Sequence, residues 1–302
     1  MYANYKVLIW GTGQDYDRYL NNIQYEEQKE NINVVAVVTN DTYYKKIDGY
    51  QVIAKKDIIN CNYDYIIVAS INKYNQIVDE ALSMGIERKR LLKLTIFNIN
   101  NFDFKRYIKL YSSNISIISC NCWGGITYNY LGMEFLSPFI NMYEEEADYL
   151  KLLANLGFYL KQPLVFEKEM YEINLKRNFP VAMLSDIRLY FNHYESFDEA
   201  KVKWYQRLNR INYNNLFIMF YTTNLESAKI FDNLPFEHKI VFLPFKSNLR
   251  SAIELDTLND VLDNKCNSEL YQLVNSLAFS KFKYYDVMKL LCKEPDYKRI
   301  LI

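Results

Sequence analysis

The chain has 302 residues, with 36 Lys+Arg balanced by 36 Asp+Glu and a formal net charge of +0. Half of it is hydrophobic and 16% is aromatic, which excludes a disordered chain; the charge balance removes the long-range field by which nucleic-acid binders gather phosphates, so no nucleic-acid partner is expected. The longest apolar runs fall far short of the roughly 18 residues that cross a membrane, so no membrane span is expected either.

Residues 6–10 (KVLIW) form a short apolar run that ends in Gly11-Thr12-Gly13. Residues 14–23 fit a helix with Tyr16, Tyr19, Leu20 and Ile23 on one stripe. Residues 33–38 (NVVAVV) predict a second buried strand, 49–53 a short extended piece, and 63–70 (YDYIIVAS) a third buried strand. Residues 74–84 predict a helix with Ile77, Val78, Ala81 and Leu82 inward and Gly85 as its cap, and 91–94 a fourth strand. Unbroken apolar strands alternating with amphipathic helices are the pattern of a parallel α/β sheet.

The pattern restarts at 115–119 (ISIIS), followed by a loop through Cys120, Asn121, Cys122, Trp123, Gly124 and Gly125. Residues 145–160 predict one long helix with Leu150, Leu153, Leu156 and Leu160 on a face, and 181–184 a short strand ending at Ser185-Asp186. Residues 196–211 predict an amphipathic helix with Ser196 as N-cap and Glu199 at the capping-box position. Residues 216–221 (LFIMFY) and 239–243 (KIVFL) predict buried strands around a helix at 225–234; further helices are expected at 258–262, 268–278 and 284–291. The expected fold is therefore two α/β domains with mainly parallel sheets, the first Rossmann-like, over 1–110 and 111–302, the second closing in a helical segment. No apolar leader precedes the first strand, and the five cysteines then predict a cytoplasmic protein with free thiols.

Only 8 glycines occur, where an ordinary chain carries about 7%. Four of them sit in two tight places directly after strands, which points to a backbone reason for each. At the first, strand, Gly11-Thr12-Gly13 and helix would gather N–H groups and a positive helix end at one spot, suited to the phosphate of a nucleotide or nucleotide sugar. Tyr16 stands where the third glycine of a dinucleotide fingerprint would fall, which weakens a redox-dinucleotide reading. Asp41 follows the second strand as a candidate ribose acceptor, and Ser70 ends the third strand near the expected switch point of the sheet. The candidate cofactor-binding residues are thus Gly11, Thr12, Gly13, Asp41 and Ser70. The plain alternative is a tight turn with no ligand.

At the second place, Cys120, Asn121 and Trp123 lie past a strand's C-terminal end, with Gly124 and Gly125 allowing close backbone approach to a ligand. Cys-x-Cys hints at metal, but with two histidines, His193 and His238, and no second cysteine pair, no metal site is expected. A Cys120 nucleophile would need a base, for which His193 is the candidate; the alternative makes Cys120 and Cys122 small buried residues. Asp186 and His193, seven residues apart, could share general acid–base work, or could be a helix cap and a packed histidine. Lys203, Arg207 and Arg210 recur at i, i+4 and i+7 beside Trp204, Leu208 and Ile211, a cationic stripe able to hold phosphates or a solvated face paired with Glu199. Asp-x-Asp occurs as Asp15-Tyr16-Asp17 at the first helix start, where it would repel phosphate, so a metal-dependent transferase is not expected.

The segments VLIWGTGQ, VVAVVTND, GYQVIAKKDI and YDYIIVAS resemble the small Rossmann-type domain at the front of many bacterial capsule and exopolysaccharide proteins, sugar acetyltransferases among them. That resemblance implies a domain that holds a UDP-sugar in some relatives and nothing in others, with Gly11, Gly13, Asp41 and Ser70 at the matching positions. Residues 115–245 resemble a bacterial family associated with exopolysaccharide biosynthesis and glycosyl transfer, through ISCNCWGGITYNYLGMEFLSPF, DYLKLLANLGFYL, FPVAMLSDIRLYFNHYESFDEAKVKWYQRLNRIN and NNLFIMFYT. This second resemblance implies a metal-independent transferase acting on a sugar nucleotide or polysaccharide precursor, or a non-catalytic accessory that binds one. Where that family places acidic residues after the NLFIM strand, Thr222, Thr223 and Asn224 stand here.

Overall fold

The computed structural model describes residues 4–40, 43–173, 176–254 and 285–297. The chain forms two compact units, Met1–Lys109 and Leu110–Ile302. The first contains β1 (Tyr5–Trp10), α1 (Gln14–Gln28), β2 (Ile32–Val38), β3 (Lys46–Ile47), β4 (Tyr50–Ile53), β5 (Tyr65–Val68), α2 (Tyr74–Ser83) and β6 (Leu91–Lys93), and α3 (Phe104–Ser112) follows. Its sheet has the order β3-β4-β2-β1-β5-β6, parallel except at the β3–β4 pair. Val7, Leu8, Ile9, Ile66 and Ile67 are wholly buried. Such strands are covered on both faces, which is why they read as unbroken apolar runs. Tyr16, Tyr19 and Ile23 bury one stripe of α1, while Val78 and Ala81 of α2 pack with Leu8 and Trp10. The chain moves from β1 outward to β2 and β4, then returns to β5 and β6 on the other side. Strand order therefore reverses between β1 and β5, where sheets of this kind open a crevice at their C-terminal ends.

The second unit contains β7 (Ser116–Ser119), α4 (Trp123–Tyr130), α5 (Glu146–Ala154), α6 (Leu156–Tyr159), β8 (Leu164–Glu172), β9 (Arg177–Leu184), β10 (Ile187–Tyr190), α7 (Phe197–Leu208), β11 (Leu216–Tyr221), α8 (Leu225–Asp232), β12 (Lys239–Leu243), β13 (Ala252–Glu254) and α9 (Val287–Leu291). Four strands form a parallel sheet in the order β13-β12-β11-β7. The described order is sequential, so it contains no reversal and no ready-made crevice. Trp123 stacks on Phe217 on one face of this sheet; Tyr149 of α5 stacks on Phe220 on the other.

Three local expectations are corrected. The segment expected to loop from Cys120 to Gly125 turns into α4 at Trp123. The helix expected over 145–160 breaks at Asn155 (φ −144°, ψ 53°) into α5 and α6. The strand expected at 181–184 belongs to a separate antiparallel sheet, β10-β9-β8, whose β9–β10 turn carries Ser185 at φ 60°. The expected cap of α7 is present: the Glu199 amide donates to Ser196 Oγ at 3.2 Å. The helices expected at 258–262 and 268–278 lie outside the described residues.

The glycines after β7 serve packing. A Cβ on Gly124 would lie 2.7 Å from Ser119 Oγ and 3.1 Å from Ile117 Cγ2. Ser119 cannot swing aside freely, because its hydroxyl accepts from the Gly124 amide at 3.0 Å and donates to the Asn121 carbonyl at 2.7 Å. Gly124→Ala is therefore expected to lower the unfolding free energy by about 1–3 kcal/mol, the usual cost of overpacking a filled core. Urea denaturation reads this directly; an unchanged midpoint would show that α4 can shift away from β7.

Candidate functional site

In the first unit, the turn after β1 is built by its backbone. Gly11 has φ +119°, donates its amide to Val38 O at 3.0 Å, and leaves only 3.1 Å between an added Cβ and Ala69 O. A side chain there would be strained and would push β5 away. Gly13 precedes α1 with open space around it. Its helix end is already answered by the chain's own acids: Asp15 and Asp17 lie in the first turn, and Asp15 Oδ2 accepts from the Ile71 amide at 2.8 Å. Thr12 Oγ1 meets Thr39 Oγ1 at 3.4 Å, and Tyr16 donates to Asp48 at 2.9 Å. Asp41 lies outside the described residues. Ser70 is the candidate that faces space: with Val68, Ile71, Tyr74, Lys93 and Thr95 it lines an open groove of about 300 Å³ beyond β5 and β6. Lys93 makes no ion pair among the described residues; burial first, and then Arg88, lower its pKa.

In the second unit, the expected opening after β7 is closed. Trp123, Gly124 and Gly125 are buried, and the Trp123 indole donates to Tyr285 Oη at 3.2 Å. Gly125 packs against Ile140. These three face the core rather than a ligand. Cys120 is buried, and desolvation pushes its thiol strongly upward, so it stays protonated. Asn121 Oδ1 accepts from the Trp123 amide at 2.9 Å, while its Nδ2 has no partner.

The structure does not bring Asp186 and His193 to one strand end. They flank β10 at opposite ends, and a four-residue strand alone spans about 14 Å. Asp186 is exposed, pairs with Lys151, accepts from Tyr159 at 2.9 Å, and is lowered chiefly by those two bonds. His193 is pushed down by burial first and by Arg177 second, which keeps it neutral.

The cationic stripe of α7 also divides. Lys203 pairs with Glu199, and Arg210 with Glu134 at 2.8 Å; both are surface contacts of small energetic weight. Arg207 is different. It is only 8% exposed, its Nη1 donates to Tyr194 Oη at 2.6 Å, and its guanidinium lies 5.1 Å from the Phe135 ring centre. It has no carboxylate partner among the described residues. One turn away, the buried Trp204 indole N–H also has no acceptor. Phe139 and Phe191 pack on the Trp204 ring. A buried guanidinium bonded to Tyr194 thus lies one helical turn from a buried indole N–H that has no acceptor among the described residues.

Sequence reasoning missed the acids beside α5. Glu146 accepts from Thr222 Oγ1 at 2.6 Å and from Ser227, which places an α5 carboxylate against the C-terminal end of β11. Glu144 is 6% exposed, neither carboxylate oxygen has a partner among the described residues, and burial first, then Asp148, raise its pKa well above the usual range. The run Glu144-Glu145-Glu146 reads as ordinary helix-start acids, and no local signal says that its first member turns inward. Among the described residues no cluster of His, Cys, Asp and Glu is placed to ligate a metal, and no helix is long and apolar enough to cross a membrane.

Fold and site together define an α/β protein of two units built around parallel sheets, with unused polar groups in its second unit. The chain belongs to the family described as Domain of unknown function (DUF1919), whose model matches residues 93–291. Residues 3–92 match a second model, C2185-like, N-terminal. An uncharacterized protein of Haemophilus influenzae is 38% identical over 137 residues, 44% of this chain and 64% of that protein, so the match spans less than two thirds of the relative's length. A crystal structure of aspartate semialdehyde dehydrogenase II from Vibrio cholerae, complexed with ASA, aligns over 71% of this chain and 65% of its own at 10% identity; its TM-score of 0.24 is too low to bear on fold or activity.

Proposed function

We propose that this protein acts in surface-polysaccharide assembly as a metal-independent transferase, taking a phosphate-bearing precursor, in the simplest case a sugar nucleotide, in its second unit. The supporting observation is Arg207, a buried guanidinium without a carboxylate partner among the described residues. An uncompensated buried charge is costly, and a bound phosphate would relieve it through charge-assisted hydrogen bonds. Pathway and reaction type rest on the sequence resemblance of residues 115–245.

A second reading, a non-catalytic accessory that binds the same precursor, is favoured by one observation: the protonated Cys120 and the separated Asp186 and His193 assemble no nucleophile–base pair. Melting the protein with a panel of nucleoside diphosphates and nucleotide sugars, then assaying the stabilising compound for turnover, separates the readings. A ligand at 100 times its dissociation constant is expected to add about 2.7 kcal/mol. Binding with turnover supports the transferase, and binding without turnover supports the accessory. No shift with any of them would overturn both.

A further inference from the structure

We propose a second binding site in the first unit, for a small hydroxylated monocarboxylate of sugar-acid size, in the groove past the ends of β5 and β6, with Lys93 taking the carboxylate and Ser70 and Thr95 taking hydroxyls. This site stands on observations separate from Arg207 and asks for a different ligand. The groove is an open space of about 300 Å³. Val68 of β5 pairs with Lys93 of β6 in parallel, so the two strands end level. Ser70 and Thr95 each follow that pair by two residues, and both line the groove. The carboxyl ends of parallel strands are where open α/β sheets take their ligands.

Charge narrows the ligand. Among the described residues that line the groove, Lys93 is the one charged side chain. It is half-buried, and its ammonium lies 5.4 Å from the Tyr74 ring centre. The Arg88 guanidinium lies 5.6 Å from the same ring. Two cations thus share one aromatic ring. Burial and Arg88 both work against the charge on Lys93, and no acid opposes them. A partly desolvated cation beside a like charge is relieved by an anion. A single lysine matches a single negative charge, as on a carboxylate, whereas a phosphate monoester carries about 1.5–2 at neutral pH. The remaining walls favour hydroxyls. Ser70 Oγ accepts from the Lys73 amide at 3.4 Å and keeps its own proton to donate. Thr95 and Asn72 each add a donor and an acceptor, and Val68 and Leu94 add apolar wall for the C–H face of such a molecule. The volume lies at the small end of ligand pockets, which run from about 300 to 1,000 Å³, and so suits one sugar acid rather than a whole nucleotide sugar.

The test titrates the full-length, nitrogen-15-labelled protein at pH 7 with glucuronate and galacturonate, and with glucose, acetate and inorganic phosphate for comparison. At least one uronate is expected to move the amide signals of Ser70, Ile71 and Thr95 in a saturable way, equally in wild type and in Arg207→Met. It binds about tenfold or more tightly than glucose, which lacks the charge, than acetate, which lacks the hydroxyls, and than phosphate. Lys93→Met keeps the apolar stem and removes the charge, and weakens uronate binding about tenfold or more. Thr95→Val keeps the shape and removes the hydroxyl, and weakens it severalfold. Both variants are compared with wild type by near-ultraviolet spectra, which are expected to be native. The proposal is overturned by failure of both uronates to bind wild type, by undiminished binding to both variants, by signals that move away from the groove instead of in it, or by groove signals that respond to phosphate and not to the uronates.

Discussion

Glu144→Gln is expected to stabilise the protein at pH 8 and to stabilise it much less at pH 5. The carboxyl is buried without a partner, and its pKa is raised in the folded state. Between the unfolded pKa, about 4.3 for a free Glu, and the raised folded value, the native state holds a proton that the unfolded chain has released. Unfolded protein then binds fewer protons than native protein, so stability falls as pH rises, by about 1.4 kcal/mol for each pH unit of that window. Below the unfolded pKa both states are protonated, and the penalty vanishes. Glutamine has the shape of the protonated acid and no proton to lose, so its stability stays level across the window. Urea denaturation from pH 5 to pH 8 measures the difference. Superimposable pH profiles would show that Glu144 ionises normally and that its surroundings solvate it.

Arg207→Met is expected to have two opposite effects. In phosphate-free buffer it raises stability by about 1–3 kcal/mol, because an uncompensated buried charge is replaced by an apolar chain of similar length. Loss of the bond to Tyr194 offsets about 1 kcal/mol of that gain. With pyrophosphate present, wild type gains stability with concentration and the variant does not. A variant less stable than wild type in plain buffer, yet still responsive to pyrophosphate, would make Arg207 a structural residue and move the anion to another site. The Ser70–Lys93 groove of the first unit is then the next place to look.

The parallel sheets were readable because their strands are buried on both faces and so carry unbroken apolar runs, as in Val34–Val38 of β2 and the whole of β11. The antiparallel sheet was not. Its strand β8 reads LVFEKEMYE, with exposed and half-exposed charges through its middle, and lacks the apolar run that marks the others. The start of α4 was hidden because Gly124 and Gly125 look like loop residues, whereas here they let a helix lie close on β7. Spacing on α7 placed Arg207 with Lys203 and Arg210, yet residue 207 is also three after Trp204, and packing drew it to the buried side. Asp186 and His193 are close in sequence but separated by an extended strand, which seven residues of sequence cannot reveal. Glu144 is buried beside a backbone bond to Cys120, 24 positions away in the chain, and a local reading has no access to that contact.

The indole N–H resonances offer the most direct test of anion capture in the second unit. The chain has 3 tryptophans: Trp10 ends β1 in the first unit, Trp123 is bonded to Tyr285, and Trp204 carries a buried N–H without a partner one turn from Arg207. Pyrophosphate titrated into nitrogen-15-labelled protein should move the Trp204 signal in a saturable way and leave Trp10 and Trp123 in place. A stationary Trp204 signal, or movement confined to Trp10, would contradict it.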